Sequence, residues 1–251
     1  KEFKSVVLSD SINETSGLIE WENNLYTHND DTDLNLYQLD KNGTILKKIH
    51  LKGIKNNDCE DLTQDENYIY LGDFGNNAKG NRTDLTIYKI AKNSLFIQPK
   101  IEAITFSYPN QTNFSKQNKN ATDFDCEAMI ASENELILFT KQWNSKQTSV
   151  YRLPKSAGTH TAELIITLNV DGLITGATFN QENDLIVLCG YSKKLKPFIY
   201  LIYDLKDLNF EKANQRKIKL KLPFHQIEAI STANGVDFNL TNERFSRKII
   251  G

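Results

Sequence analysis

The sequence predicts an all-β protein, a β-propeller of five blades, from three observations. Short runs rich in Ile, Leu, Tyr, Phe, Val and Thr alternate with Asn, Asp, Gly and Ser along the chain, which is typical of strands in a meander. No window places apolar residues at helical spacing between helix caps. A unit of four such runs recurs five times, which indicates propeller blades. We therefore expect residues 1–251 to form a single propeller domain.

The five units are recognised by their first strands and by their spacing. The first unit reads ETSGLIEW, NNLYTHNDD, NLYQLD and TILKKIHL, and the later units open with DCEDLTQD, DCEAMIAS, ITGATFNQ and IEAISTAN. The unit starts are 44, 67, 48 and 53 residues apart. The polar stretches Asn76–Asp84 and Pro109–Thr122 account for the long second interval, so we predict five blades and not six.

The two ends of the chain are predicted to complete one blade. The fifth unit lacks a fourth strand, and an apolar run, Phe3–Leu8, precedes the first unit. A strand at Phe3–Leu8 would close the ring as the outer strand of the last blade and would cover a free sheet edge.

Charge and hydropathy exclude several classes of partner. The chain carries 30 basic and 32 acidic residues, so it has no basic field for nucleic acid. The mean hydropathy is −0.49, and no apolar run approaches the roughly 20 residues that a membrane helix needs. The sequence begins at Lys1 without a hydrophobic leader, as after removal of a signal peptide. We expect a monomer that is secreted or lies at the cell surface or in the periplasm.

Three cysteines, Cys59, Cys126 and Cys189, lack the spacing of a zinc site and are too few for a disulfide framework. Cys59 and Cys126 occupy matching positions in neighbouring units. The sequence leaves open whether these two form a disulfide or remain buried thiols.

The first strand of a propeller blade lies beside the central axis, and polar residues recur there at one register. Three carboxylates at an axis repel one another unless they bind protons or a cation. Oxygen ligands with high negative charge favour a hard cation, Ca²⁺ before Mg²⁺. The alternative is a water-filled tunnel with solvated acids. The predicted calcium ligands are Ser16, Glu60, Glu127, Thr175 and Glu228.

The loops between second and third strands should cluster at the mouth of the tunnel where the first strands begin. Their mixed acids, amides, cations and aromatic rings suggest a site for a small-molecule, glycan or phosphate ligand, although the same residues are ordinary turn formers. His28 is a candidate general base, but no nucleophile or second histidine marks it as one. The candidate ligand-binding residues are Asn29, Asp30, Asp73, Arg82, Lys141, Trp143 and Arg244.

The series ETSGL, CEDL, CEAM, ITGATF and IEAI resembles the inner-strand motifs of the calcium-activated apyrase family. That resemblance implies a secreted five-bladed propeller with one axial calcium at the five positions given above. Segments such as THNDD, LYQLDKNG, DCEDLT and YLGDFGNN resemble exported propeller proteins of the Bacteroidetes, including phytase-like and SdiA-regulated-like ones. Where the apyrase family has Asp-Asp-Arg, this chain has Asn29-Asp30-Asp31-Thr32, without the arginine.

Two functions follow as expectations. The first is an exported binding or scaffolding propeller with a structural calcium and an unassigned ligand. The second is a calcium-dependent hydrolase of phosphoric esters or anhydrides, apyrase-like or phytase-like. We favour the first because no acid–base pair can be named, and a fold by itself does not define a reaction.

Overall fold

The computed structural model describes residues 4–31, 33–222 and 225–242. They form an all-β propeller in which short 3-10 turns are the only helical elements of the described ranges. These turns span Asp10–Ile12, Lys92–Ser94, Gln181–Asn183 and Lys206–Leu208. None of them is long and apolar enough to cross a membrane.

Four blades are meanders of antiparallel strands. The first contains β1 (Thr15–Trp21), β2 (Asn24–Asn29), β3 (Asn35–Leu39) and β4 (Ile45–His50). The second contains β5 (Cys59–Gln64), β6 (Tyr68–Asp73), β7 (Thr86–Ala91) and β8 (Ile101–Ser107). The third contains β9 (Cys126–Ala131), β10 (Glu135–Thr140), β11 (Thr148–Pro154) and β13 (Glu163–Leu168), with β12 (Gly158–Thr161) between the last two. The fourth contains β14 (Leu173–Asn180), β15 (Leu185–Tyr191), β16 (Pro197–Tyr203) and β17 (Asn214–Lys219).

A further sheet has only two described strands, β18 (Ile227–Ser231) and β19 (Asn239–Asn242). The described strands therefore give four complete blades and not the five that the sequence predicts. The innermost strands pack side by side in the order β1, β5, β9, β14 and β18, and β18 also contacts β1. The two-stranded sheet thus lies between the fourth blade and the first.

The second strands of the blades are continuous apolar runs because both of their faces are covered. ELILF in β10 and LIVLC in β15 are buried almost throughout, whereas the outer strands β4 and β17 are mostly exposed. A strand in the middle of a blade packs against two neighbouring blades, so alternation of apolar and polar residues is lost. The core is accordingly divided into clusters of apolar side chains, several of which draw on neighbouring blades.

The predicted closing strand Phe3–Leu8 is wrong for the residues that the structure describes. Residues 4–8 form no strand, and Phe3 lies outside the described ranges. Instead, Lys4 Nζ donates a hydrogen bond to Asn42 Oδ1 (2.8 Å), and Leu8 packs beside an apolar cluster that includes Tyr37. Val7 is 95% exposed. The segment therefore contacts the first blade by side chains and adds no strand to the last sheet.

A strand from the third blade covers the outer edge of the second. β12 runs parallel to β8, with Gly158 opposite Ile104 and Thr161 opposite Ser107. The hydroxyls of Thr105 and Thr159 are 2.9 Å apart across this pair. β12 therefore protects an edge that would otherwise expose unpaired backbone groups and joins two blades at their rim.

Candidate functional site

The innermost strands all carry an irregularity in register near the predicted calcium ligands. In four of them the residue skipped by the pairing is itself a predicted ligand, namely Glu60, Glu127, Thr175 and Glu228. In β1 the shift lies between Ser16 and Ile19, directly after the fifth predicted ligand. A β-bulge bends the strand and changes the direction of a side chain. A register shift thus occurs at or directly after all five predicted ligand positions.

Residues directly after the predicted ligands are small in four of the five strands. Gly17 adopts φ +63°, and a Cβ atom there would lie 2.5 Å from the backbone nitrogen of Leu62 on β5. A Cβ on Gly176 would lie 2.9 Å from the carbonyl oxygen of Glu228 on β18. The other two small residues are Ala128 and Ala229. These positions permit close approach of neighbouring inner strands, as glycine commonly does.

The predicted ligands are all buried, and the structure brings part of the set together. Carboxylate oxygens of Glu60 and Glu127 lie within 4.8 Å of each other and of Asp125. The hydroxyls are bonded to backbone: Ser16 Oγ donates to the carbonyl of Glu60, and Thr175 Oγ1 donates to the carbonyl of Ile227, each at 2.5 Å. Each hydroxyl therefore ties its blade to the next inner strand while retaining lone pairs.

Asp125 belongs to this carboxylate group, although the sequence analysis did not select it. Its side chain is fully buried and accepts hydrogen bonds from the backbone N–H of Asn76 (2.5 Å) and from Trp143 Nε1 (2.7 Å). The signal was the repeated tripeptide Asp-Cys-Glu, in which only the glutamates were assigned to the axis. The aspartates of both copies, Asp58 and Asp125, lie close enough to interact electrostatically.

A lysine supplies positive charge to the group. Lys141 Nζ lies 3.0 Å from Glu127 Oε2, and both side chains are almost completely buried. The other carboxylate oxygen of Glu127, Oε1, is buried and has no hydrogen-bond donor among the described residues. Glu228 interacts electrostatically with both Glu127 and Lys141.

Burial and mutual repulsion change the protonation of these groups. Burial raises the pKa of Glu60 and of Glu127 well above the usual range, and neighbouring carboxylates raise it further. Burial also raises the pKa of Asp125, and burial with the charge of Asp125 raises the pKa of Asp58 to about 6. For Lys141 burial opposes the charged form, but the adjacent Glu127 and more distant anions hold its pKa well above the usual range. The site therefore requires additional positive charge when all its carboxylates are ionised.

Two candidate ligand-binding residues, Asp73 and Arg82, bind each other. Arg82 Nη2 lies 3.0 Å from Asp73 Oδ1, Nη1 donates to the carbonyl of Gly75 (2.8 Å), and Nε donates to Asp84 Oδ1 (2.9 Å). Asp73 also accepts the backbone N–H of Asp58 at 3.0 Å. The guanidinium thus organises the loop after β6, and each of its three nitrogens donates to a protein acceptor.

Three of the remaining candidate ligand-binding residues lie at or just after the ends of second strands, Asn29 and Asp30 at β2 and Trp143 after β10. Trp143 is half-buried, with Lys141 Nζ 4.9 Å from its ring centroid. Asn29 is buried and donates to the carbonyl of Ser11 (2.9 Å) and to Asp33 Oδ2 (3.0 Å). Asp30 is half-buried, and its carbonyl accepts the N–H of Cys59 at 2.8 Å. Arg244 lies outside the described residues.

His28 is buried as a neutral imidazole. Its Nδ1–H donates to the carbonyl of Asn29 (2.8 Å), and burial lowers the pKa of His28 to about 4. Its Nε2 is buried without a hydrogen-bond partner in the described ranges and lies against the backbone of Gly17. The side chain is 2% exposed, so it packs between strands of the wall.

The three cysteines are buried free thiols, and no disulfide joins Cys59 to Cys126. Burial raises the pKa of all three thiols well above the usual value, so they remain protonated and unreactive.

Comparisons with known proteins identify no family for this chain. No known protein family and no curated protein matches the sequence. Among solved structures, the computationally designed Ika8 protein aligns over 88% of this chain at 12% identity and a TM-score of 0.39. This chain spans about half (53%) of the length of that structure. The computationally designed Ika4 protein aligns over 88% of this chain and 99% of its own length, at 10% identity and a TM-score of 0.37.

Proposed function

We propose that the chain is a five-bladed propeller whose last blade is only partly covered by the described strands. Two observations support this proposal. β18 contacts both β14 and β1, as an innermost strand of a closed ring must. Glu228 occupies a bulge in β18 like those of Glu60 in β5 and Glu127 in β9. An experimental structure in which β18 lay outside the ring of inner strands would contradict the five-blade arrangement.

We further propose that the axial carboxylates hold one divalent cation, with Ca²⁺ preferred. Two observations carry this proposal: Oε1 of Glu127 is a buried carboxylate oxygen without a hydrogen-bond donor among the described residues, and the Glu127 carboxylate lies within 4.8 Å of carboxylate oxygens of Glu60 and Asp125. When all are ionised, Glu60, Asp125, Glu127 and Glu228 bring four negative charges, against one positive charge from Lys141. A divalent ion reduces the remaining charge to −1.

The donor atoms favour a hard cation. Carboxylate and hydroxyl oxygens are the ligands of Ca²⁺ and Mg²⁺, and Ca²⁺ accepts irregular shells of about 6–8 oxygens at roughly 2.3–2.6 Å. Ser16 and Thr175 lie at the same register and add neutral oxygens. The buried thiol of Cys59 has a raised pKa and does not supply the thiolate that Zn²⁺ prefers.

The function that this arrangement supports best is binding: an exported propeller with a structural cation and a ligand site at the adjoining loops. Asp73 and Arg82 are the acidic and the basic side chain best suited to a ligand at these loops, and they form an ion pair with each other. Neutral His28 is enclosed in the wall. Calcium-dependent hydrolysis of a phosphoric ester or anhydride is the alternative, and a turnover screen with nucleotides, phytate and generic phosphate esters, with and without calcium, tests it directly.

The cation is tested by removing and restoring it. The protein is dialysed against a chelator, analysed for bound metal, and melted with and without added Ca²⁺, Mg²⁺ or Zn²⁺. We expect Ca²⁺ to stabilise the fold by about 2.7 kcal/mol at a hundredfold excess over its dissociation constant. Glu127→Gln should weaken this effect, whereas Glu133→Gln, an exposed control, should not. A metal-free protein whose melting ignores both chelator and calcium would contradict the proposal.

A further inference from the structure

Lys141 enters the axial site from a fixed point of the backbone. It follows the last residue of β10, and its N–H donates to the carbonyl of Asp125 at 2.7 Å. The side chain is 6% exposed and lies beside two aromatic rings, with Nζ 4.9 Å from the ring centroid of Trp143 and 5.5 Å from that of Tyr191. Aromatic faces attract an ammonium group, especially where water is excluded. The ammonium group of Lys141 is therefore held at the axis by packing against aromatic rings as well as by charge.

Acids from several blades face this ammonium. Glu127 on β9 is in direct contact, and Glu60 on β5 and Glu228 on β18 add to its electrostatic environment. The contact uses one carboxylate oxygen, Oε2 of Glu127, and Oε1 is buried without a donor among the described residues. The Glu127 carboxylate thus contacts the lysine and also lies within 4.8 Å of carboxylate oxygens of Glu60 and Asp125.

We infer that Lys141 is an internal cation of the axial site that shares Glu127 with the bound ion and thereby limits the affinity of the site for divalent cations. The inference rests on the cation proposed above. An ammonium and a divalent ion that bind the same carboxylate repel each other at short range in a poorly solvated site. When the divalent ion is absent, the ammonium still neutralises part of the carboxylate charge, so the ring does not depend wholly on the metal.

The test compares calcium binding in the chelator-treated protein and its variants by isothermal titration. Lys141→Gln removes the charge, and Lys141→Arg keeps it. Lys155→Gln is the control, because Lys155 forms a partly shielded ion pair with Asp65 (2.8 Å) away from the axial carboxylates. We expect Lys141→Gln to lower the calcium dissociation constant at least tenfold, Lys141→Arg to remain within about threefold of wild type, and Lys155→Gln to leave it unchanged.

The outcomes separate this inference from the proposed function. Calcium binding by wild type with equal or weaker binding by Lys141→Gln would overturn the role of Lys141 and leave the cation site intact. Binding by Lys141→Gln but not by wild type would support the role of Lys141 and refute a resident calcium in the native protein. No binding by either protein would overturn both.

A second comparison remains decisive if Lys141→Gln does not fold without metal. The double variant Lys141→Gln/Glu127→Gln removes both members of the ion pair, so no buried charge of that pair is left alone. It should bind calcium more tightly than the single variant Glu127→Gln, in which Lys141 still faces Glu60 and Glu228. Equal affinities of these two variants would overturn the inference.

Discussion

The carboxylate of Asp61 on β5 accepts a hydrogen bond from the backbone N–H of Met129 on β9, at 2.7 Å, 68 residues away in sequence. It also accepts the N–H of Leu62 (2.8 Å) and that of Ala177 on β14. Inner strands of three blades therefore meet at one buried side chain. Burial raises the pKa of Asp61 well above the usual range, although the three N–H donors oppose this shift.

Asp61→Ala should be among the most damaging substitutions in the chain. It leaves backbone donors of three strands without an acceptor, and each unsatisfied buried group costs about 1–3 kcal/mol. We expect a loss of at least about 3 kcal/mol in the free energy of unfolding, measured by urea denaturation. Glu133→Ala, at an exposed position, should change it by less than about 0.5 kcal/mol. A loss below 1 kcal/mol for Asp61→Ala would mean that the three N–H groups find other partners.

Arg82 and Arg152 provide a contrast between a shielded and an exposed ion pair. Arg82→Ala leaves Asp73, which is 1% exposed, without its cation, and breaking such a pair costs about 3–5 kcal/mol. Arg152 pairs with Glu163 at the surface, so Arg152→Ala should cost at most about 1 kcal/mol. Chemical denaturation of both variants measures the difference. Equal stabilities would show that the loop after β6 does not depend on the guanidinium.

Gly75→Ala should disturb the axial site directly. A Cβ at this position would lie 2.3 Å from Glu60 Oε1 and 2.5 Å from Asp58 Oδ2, so the carboxylates would have to move. Overpacking of this kind costs about 1–3 kcal/mol. We also expect weaker calcium binding in titrations, because Glu60 is displaced from Glu127 and Asp125. Wild-type affinity in a folded Gly75→Ala protein would remove Glu60 from the predicted ligand set.

His28 should make stability depend on pH. Burial lowers the pKa of His28 to about 4, below the usual 6.5, so the unfolded chain binds a proton between these values and the folded chain does not. The contribution of His28 to the free energy of unfolding is fully present above pH 6.5. It is lost as the pH falls towards 4, and the total loss is about 3 kcal/mol.

His28→Asn retains a donor for the carbonyl of Asn29 and does not titrate in this range. Its free energy of unfolding should therefore fall less than that of wild type between pH 7 and pH 4, as measured by urea denaturation at fixed pH values. Parallel pH profiles for the two proteins would exclude a buried neutral histidine.

The four meander strands of each complete blade were predictable from the sequence, and so were the positions beside the register shifts of the inner strands. Strand runs and turn residues are local signals, and the recurrence of Ser16, Glu60, Glu127, Thr175 and Glu228 at one position of the unit led to residues that do occupy equivalent positions beside register shifts in the inner strands. The small residues that follow four of them were visible in the same repeat.

The pairing of side chains from different blades could not be predicted from the sequence. Asp125 joins the carboxylates, Lys141 turns inward to Glu127, Arg82 pairs with Asp73, and residues 4–8 run along the first blade without forming a strand. A sequence pattern assigns a residue to a strand or a loop, but the direction of a long side chain depends on burial and charge supplied by other blades. The ion pair of Lys141 arises in this way, because it joins the end of β10 to a carboxylate on the axis.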